Sequence, residues 1–162
     1  MLGRAAYSFS TGPTRSRSID GMLGRRLLLV GAVAVACGGT ATRLVTVKVG
    51  TGQGPIDFSV KNLTDVPINT FYLAKTERVE ATGKNRVEPD TPEGQALWGP
   101  DLTGEAIPVG KTEPITVPAP GRWDARAVDR DGREQLITGL HLAAGGKYIL
   151  ELYEGNWRVY SP

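Results

Sequence analysis

Residues 121–138 read GRWDARAVDRDGREQLIT, and this stretch decides the fold class. Trp123, Ala125 and Ala127 fall on one side of a two-residue alternation and Asp124 and Arg126 on the other, the period of a half-buried strand. Asp131 and Gly132 then supply the turn chemistry of a tight hairpin, and Glu134 to Thr138 is the return strand.

The same period recurs on both sides of the hairpin. Upstream, Val45, Val47 and Val49 alternate with Thr46 and Lys48, and Ile56, Phe58 and Val60 alternate with Asp57, Ser59 and Lys61. Glycines at 50, 52 and 54 with Pro55 separate these two runs, and Asn62 to Asp65 forms a turn before a β-branched and aromatic run, Val66 to Ala74. Downstream, Leu140 to Leu142, Lys147 to Tyr153 and Asn156 to Tyr160 continue the series, punctuated by Gly145, Gly146 and Gly155, and Pro114 to Val117 adds a short strand. No stretch keeps a helical apolar period. About eight or nine short strands with turns every 8 to 12 residues predict an all-β protein, an antiparallel β-sandwich of immunoglobulin-like or prealbumin-like kind. Thr76 to Gln95, rich in glutamate with Pro89, Pro92, Gly83 and Gly94, reads as a long loop inserted into it. Trp98 and Leu102 are expected to anchor the end of that loop in the core.

Trp98, Gly99, Pro100, Asp101 and Leu102, the Pro120–Gly121 turn, and the run from Trp123 to Gly132 resemble small β-sandwich domains of unknown function from bacterial envelope proteins. The likeness spans roughly Ile56 to Tyr153 and implies no activity.

The N-terminal segment follows different rules. Arg25 and Arg26 precede an almost unbroken apolar run, Leu27 to Val35, and the chain's one cysteine, Cys37, follows Ala34, Val35 and Ala36. A bilayer-spanning helix needs about 20 apolar residues, whereas an export signal needs a basic start, a core of about 7 to 15 apolar residues and a small-residue cleavage site. The order here resembles the lipobox of a bacterial lipoprotein, which implies cleavage between Ala36 and Cys37 and lipidation (thioether-linked diacylglyceryl and palmitate-like acyl chains) of the Cys37 sulfur. A plain secretory signal cut after Ala36 and an uncleaved anchor are the competing readings. Met22 is an alternative start to Met1, and the arginine pair fits either the general or the twin-arginine route. Residues 1–36 are thus read as extension and signal peptide, 37–54 as acylated cysteine, tether and first strand, and 55–162 as the sandwich with its insertion at 76–95. The resemblance implies an exported, membrane-anchored protein of the cell envelope. Gly38 in place of aspartate favours an outer membrane where there are two.

Export changes the charge balance. Five of the 19 basic and one of the 17 acidic residues lie within 1–36, so the remainder carries 14 and 16 and a formal charge of −2. That balance excludes the basic footprint of a nucleic-acid binder. With one cysteine, the domain is held by packing alone.

Candidate sites are few. Beyond residue 36 the chain has one histidine, His141, and two serines, Ser59 and Ser161, each on a strand or at the terminus, so no nucleophile–base set is expected. Zinc lacks ligands, and no cofactor is implied. Asp129 and Asp131, with Asp124, are weak calcium candidates around the Gly132 turn. Trp157, Arg158 and Tyr160 form the best candidate ligand-contact group, since indole and phenol rings stack on sugars. The reading is a non-enzymatic interaction or structural module, tethered to a membrane through lipid and contacting an envelope protein or polysaccharide through the acidic loop and exposed aromatics. The alternative is an envelope-polymer hydrolase or carbohydrate-binding module using carboxylates or tryptophans.

Overall fold

The computed structural model describes residues 41–83 and 88–159. Two four-stranded sheets pack face to face. Sheet A has the order β1-β7-β2-β4, from β1 (Arg43–Lys48), β7 (Lys147–Leu152), β2 (Asp57–Asn62) and β4 (Thr112–Pro114). Sheet B has the order β3-β5-β6-β8, from β3 (Ile68–Lys75), β5 (Gly121–Asp129), β6 (Arg133–Leu142) and β8 (Arg158–Val159). All pairings are antiparallel except β2 with β7, which run parallel with Phe58 opposite Tyr148 and Val60 opposite Leu150.

The two-residue period places the core. Phe58, Val60, Tyr148, Leu150 and Leu152 from sheet A meet Phe71, Leu73, Trp123, Ala125, Ala127, Leu140 and Leu142 from sheet B, all buried, with Ile107 and Ile115 filling the rims. Fifteen buried apolar residues in one cluster supply the hydrophobic driving force that the lone cysteine cannot supplement with a disulfide. Asn62 is fully buried at the end of β2 because every face of its amide is used. It donates to the carbonyls of Val66 (2.8 Å) and Ile107 (3.0 Å) and accepts from the backbone N–H (3.0 Å) and hydroxyl (2.8 Å) of Thr64, which fixes the turn into β3.

Three local readings change. The first strand is centred earlier than the valine alternation suggests: Leu44 lies opposite Leu150, while an irregularity between Thr46 and Lys48 leaves Val47 and Val49 exposed. Pro114 ends β4 instead of beginning a strand. Glu134–Thr138 and Leu140–Leu142 are one strand, β6, joined through Gly139 at φ 70°, where the register against β5 shifts between Trp123 and Ala125. Gly139 takes the left-handed conformation that such a bulge requires, and the Asp124 carboxylate accepts its N–H at 2.9 Å.

The largest correction concerns the expected loop at 76–95. It contains two seven-residue helices, α1 (Thr76–Thr82) and α2 (Pro92–Trp98), where a single long loop without helical period is predicted. Thr91 caps α2 by accepting the Gly94 N–H at 3.0 Å, with Pro92 opening the helix and Glu93 in its first turn. Val79, Leu97 and Trp98 pack with Ala74 against Tyr72 and Leu136, forming a second apolar cluster on the outer face of sheet B. Trp98 therefore anchors the segment's end, as expected, but outside the main core; Leu102 packs on the main core itself.

Gly94 makes the seating of α2 possible. A Cβ there would lie 1.6 Å from the carbonyl oxygen of Glu88, a backbone atom that cannot swing away. Gly94→Ala is expected to lower stability by about 1–3 kcal/mol, an overpacking penalty read as a fall in thermal midpoint, whereas the neighbouring exposed Gln95→Ala should leave it nearly unchanged.

Candidate functional site

The insertion converts the polar face of β5 into an interior. Asp124 and Arg126 point away from the core, as the alternation requires, yet both are buried (4% and 2% exposed), because α1, α2 and the segment before α2 lie over them. Asp124 accepts from the Thr76 hydroxyl at 2.8 Å, tying the start of α1 to the bulge at Gly139. Arg126 Nη2 lies 2.9 Å from Glu134 Oε2 and donates to both oxygens of Glu88 at 3.1 Å. Glu134 is itself buried and Glu88 about a quarter exposed, so one guanidinium on β5 joins a carboxylate of β6 to a carboxylate of the insertion.

An open cleft of about 360 Å³ runs beside this cluster, floored by Thr70, Tyr72 and Val128 and rimmed by Glu88 and Asp90. It shares Tyr72, Pro89 and Asp90 with a neighbouring cleft of about 520 Å³ that reaches Asp101. Two acids thus converge here, but on the same Arg126 nitrogen. Asp101 is likewise engaged, accepting from the Phe71 N–H (2.9 Å) and the Thr103 hydroxyl (2.9 Å). A glycosidase pair needs two carboxyl groups facing each other across a sugar, with one free to hand over a proton. Here the guanidinium occupies the space between them.

The remaining candidate residues divide three ways. Ala36, Cys37, Tyr160 and Ser161 lie outside the described residues. Trp157 is half-buried against the core, its ring N–H donating to the Tyr153 carbonyl at 2.7 Å and the Arg133 guanidinium standing 6.0 Å from its ring centre. One edge of the ring is thus hydrogen-bonded and part of the indole is packed, while Arg158 is exposed on β8. Asp129 is buried and accepts from the backbone N–H groups of Asp131 (2.9 Å) and Arg133 (2.8 Å) and from Arg133 Nε (2.6 Å). Those bonds give Asp129 a turn-forming role; Asp131 is exposed, and among the described residues no group of three or more metal-ligating side chains converges. His141 is exposed on the outer face of sheet B, opposite in pointing to buried Leu140 and Leu142, and Ser59 belongs to the outer face of sheet A. The two stand on opposite sides of the sandwich.

Glu151, on the outer face of sheet A, carries the clearest electrostatic shift. Burial alone raises its pKa, but hydrogen bonds from Arg43 (2.7 Å) and the Tyr153 hydroxyl (3.0 Å), with the Arg43 and Lys61 charges, outweigh burial and hold the carboxyl below the usual 4.5. Tyr153 moves the other way, above 10, through burial and the same carboxylate. A carboxyl with a depressed folded pKa stabilises the fold above its unfolded value and loses that contribution as pH falls through the folded one. Arg43→Met should therefore be less stable than the parent at neutral pH, and the difference should close as the pH drops below 4.5, measured by urea titration at a series of pH values. The gap should be small, since Arg43 is 64% exposed and surface pairs contribute little.

Comparison with protein-family models, curated proteins and solved structures returned no match.

Proposed function

We propose that this chain is an exported lipoprotein of a bacterial cell envelope, acylated on Cys37, whose β-sandwich is a non-enzymatic interaction or structural module held at the membrane. The observation that carries this reading is the sequence around Cys37, a lone thiol placed directly behind Arg25, Arg26, the apolar run to Val35 and Ala36. The non-enzymatic part is supported by the separation of His141 from Ser59 on opposite faces and by the engagement of Glu88 and Glu134 with one guanidinium. A filled core and an insertion folded down on sheet B favour a module over a hydrolase.

The reading is tested by intact-mass analysis of the protein recovered from the membrane fraction. The expected species begins at Cys37 and carries a diacylglyceryl group with or without an amide-linked acyl chain. An unmodified thiol, or a terminus at another residue, overturns the anchor.

A further inference from the structure

At the end of sheet B where β3 runs into α1, a cleft of about 260 Å³ opens between α2 and the segment leading from β4 to β5. Its floor and walls are Leu73, Leu97, Trp98, Leu102 and Trp123, drawn from both apolar clusters, together with Pro118. Two cations stand in this lining, Lys75 and Arg78.

Neither cation has a carboxylate counter-ion among the described residues. Lys75 Nζ donates to the Pro120 carbonyl at 2.9 Å and sits 4.1 Å from the centre of the Trp123 ring. Arg78 Nη2 donates to the Ala96 carbonyl. Glu80 faces Arg122 at 3.8 Å and Asp101 is held by Thr103 and the Phe71 N–H, while Glu77 makes no ion pair among the described residues. A carbonyl and a ring face orient an ammonium without cancelling its charge, and Lys75 keeps donor capacity beyond its one hydrogen bond. Gly121 allows this placement, because a Cβ there would lie 2.7 Å from Nζ. Small-molecule sites combine a mostly apolar wall with a few fixed polar groups, and this cleft has that composition at the small end of the size range.

We infer that the cleft binds a short, single-chain anionic amphiphile, its apolar body against Trp98 and Trp123 and its carboxylate or phosphate head at Lys75 and Arg78. The charge of the rim selects the head group, and the volume limits the tail to a short one. The inference goes beyond the tethered-module reading and does not depend on acylation.

The test uses the full chain carrying Cys37→Ser, which keeps acyl groups and detergent out of the titration, and follows its tryptophan indole N–H resonances. Octanoate and octyl phosphate are added below their micelle-forming concentrations; the two arms tell a carboxylate head from a phosphate head. At least one is expected to shift Trp98 and Trp123 saturably while Trp157, next to β8 at the edge of sheet B opposite β3, stays in place. Acetate, which lacks the body, and octyltrimethylammonium, which carries the opposite charge, should not saturate. Lys75→Met and Arg78→Met should each weaken binding about tenfold while leaving the remaining indole resonances dispersed as in a folded protein. The inference is overturned if neither anion saturates, if the cationic analogue binds as well, or if all three indoles shift together. Because the comparison of cationic and anionic probes runs on one protein, it stands even if a lysine variant fails to fold.

Discussion

Replacing Arg126 by alanine is expected to reduce the free energy of unfolding by about 3–5 kcal/mol, the cost of removing one partner from a buried ion pair. The guanidinium is 2% exposed and Glu134, 2.9 Å away, is 3% exposed, so the carboxylate would keep its desolvation penalty and lose this cation. Glu88 would lose both of its hydrogen bonds from Arg126 at the same stroke, and the segment ahead of α2 would lose this polar pin. Arg126→Lys should recover only part of the loss, since an ammonium cannot present the guanidinium fork to two carboxylates at once. Arg126→Met combined with Glu134→Leu should recover most of it, because replacing both charges removes the desolvation penalty as well as the attraction. Urea-induced unfolding of the four proteins gives the comparison. A loss below about 1 kcal/mol for Arg126→Ala would mean that water reaches the cluster and that it behaves as a surface pair.

Cys37→Ser is expected to move the protein almost entirely from the membrane fraction to the soluble fraction. Each buried methylene contributes about 0.8 kcal/mol, so two or more acyl chains hold a protein at a membrane in effect permanently, whereas none leaves only the surface of the domain. Serine keeps the size of the side chain and removes the sulfur that the proposed thioether requires. Fractionation of cells making the parent and the variant, followed by detection of the chain in each pool, measures the shift. Retention of most of the variant in the membrane pool would place the attachment elsewhere in the chain.

The strands were legible because their chemistry is local. Trp123, Ala125 and Ala127 alternate with polar neighbours, and Asp131–Gly132 announces its own hairpin, so the β5–β6 pair needs no knowledge of the rest of the protein. The burial of Asp124 and Arg126 was not legible for the complementary reason. Their alternation marks an outward face, and only Glu88 and Thr76, some forty and fifty residues earlier in the chain, turn that face into an interior. The helices escaped because seven residues make barely two turns, too few for a period to declare itself; α1 buries only Thr76 and Val79. A signal for α2 was nonetheless present in Thr91, Pro92 and Glu93, a capping residue, a proline and an acid in helix-starting order. Gly139 similarly reads as the end of a strand, whereas the structure uses it to carry one strand through a bulge. The apolar cleft draws Lys75, Trp98, Pro118 and Trp123 from three separate stretches, so no single window of sequence contained it.

The parallel pairing of β2 with β7 imposes an order of assembly. Among the described residues β1 and β2 are the first strands to leave the ribosome, yet they are not neighbours in sheet A; β7 lies between them. Arg43 and Glu151, neighbours across β1 and β7, are 108 residues apart in the chain. Half of the sandwich therefore waits for nearly the last strand, while the β5–β6 hairpin can close as soon as it emerges. Until then β1 has no partner strand, so the proposed acylation of Cys37 would take place beside a strand that has yet to find its sheet.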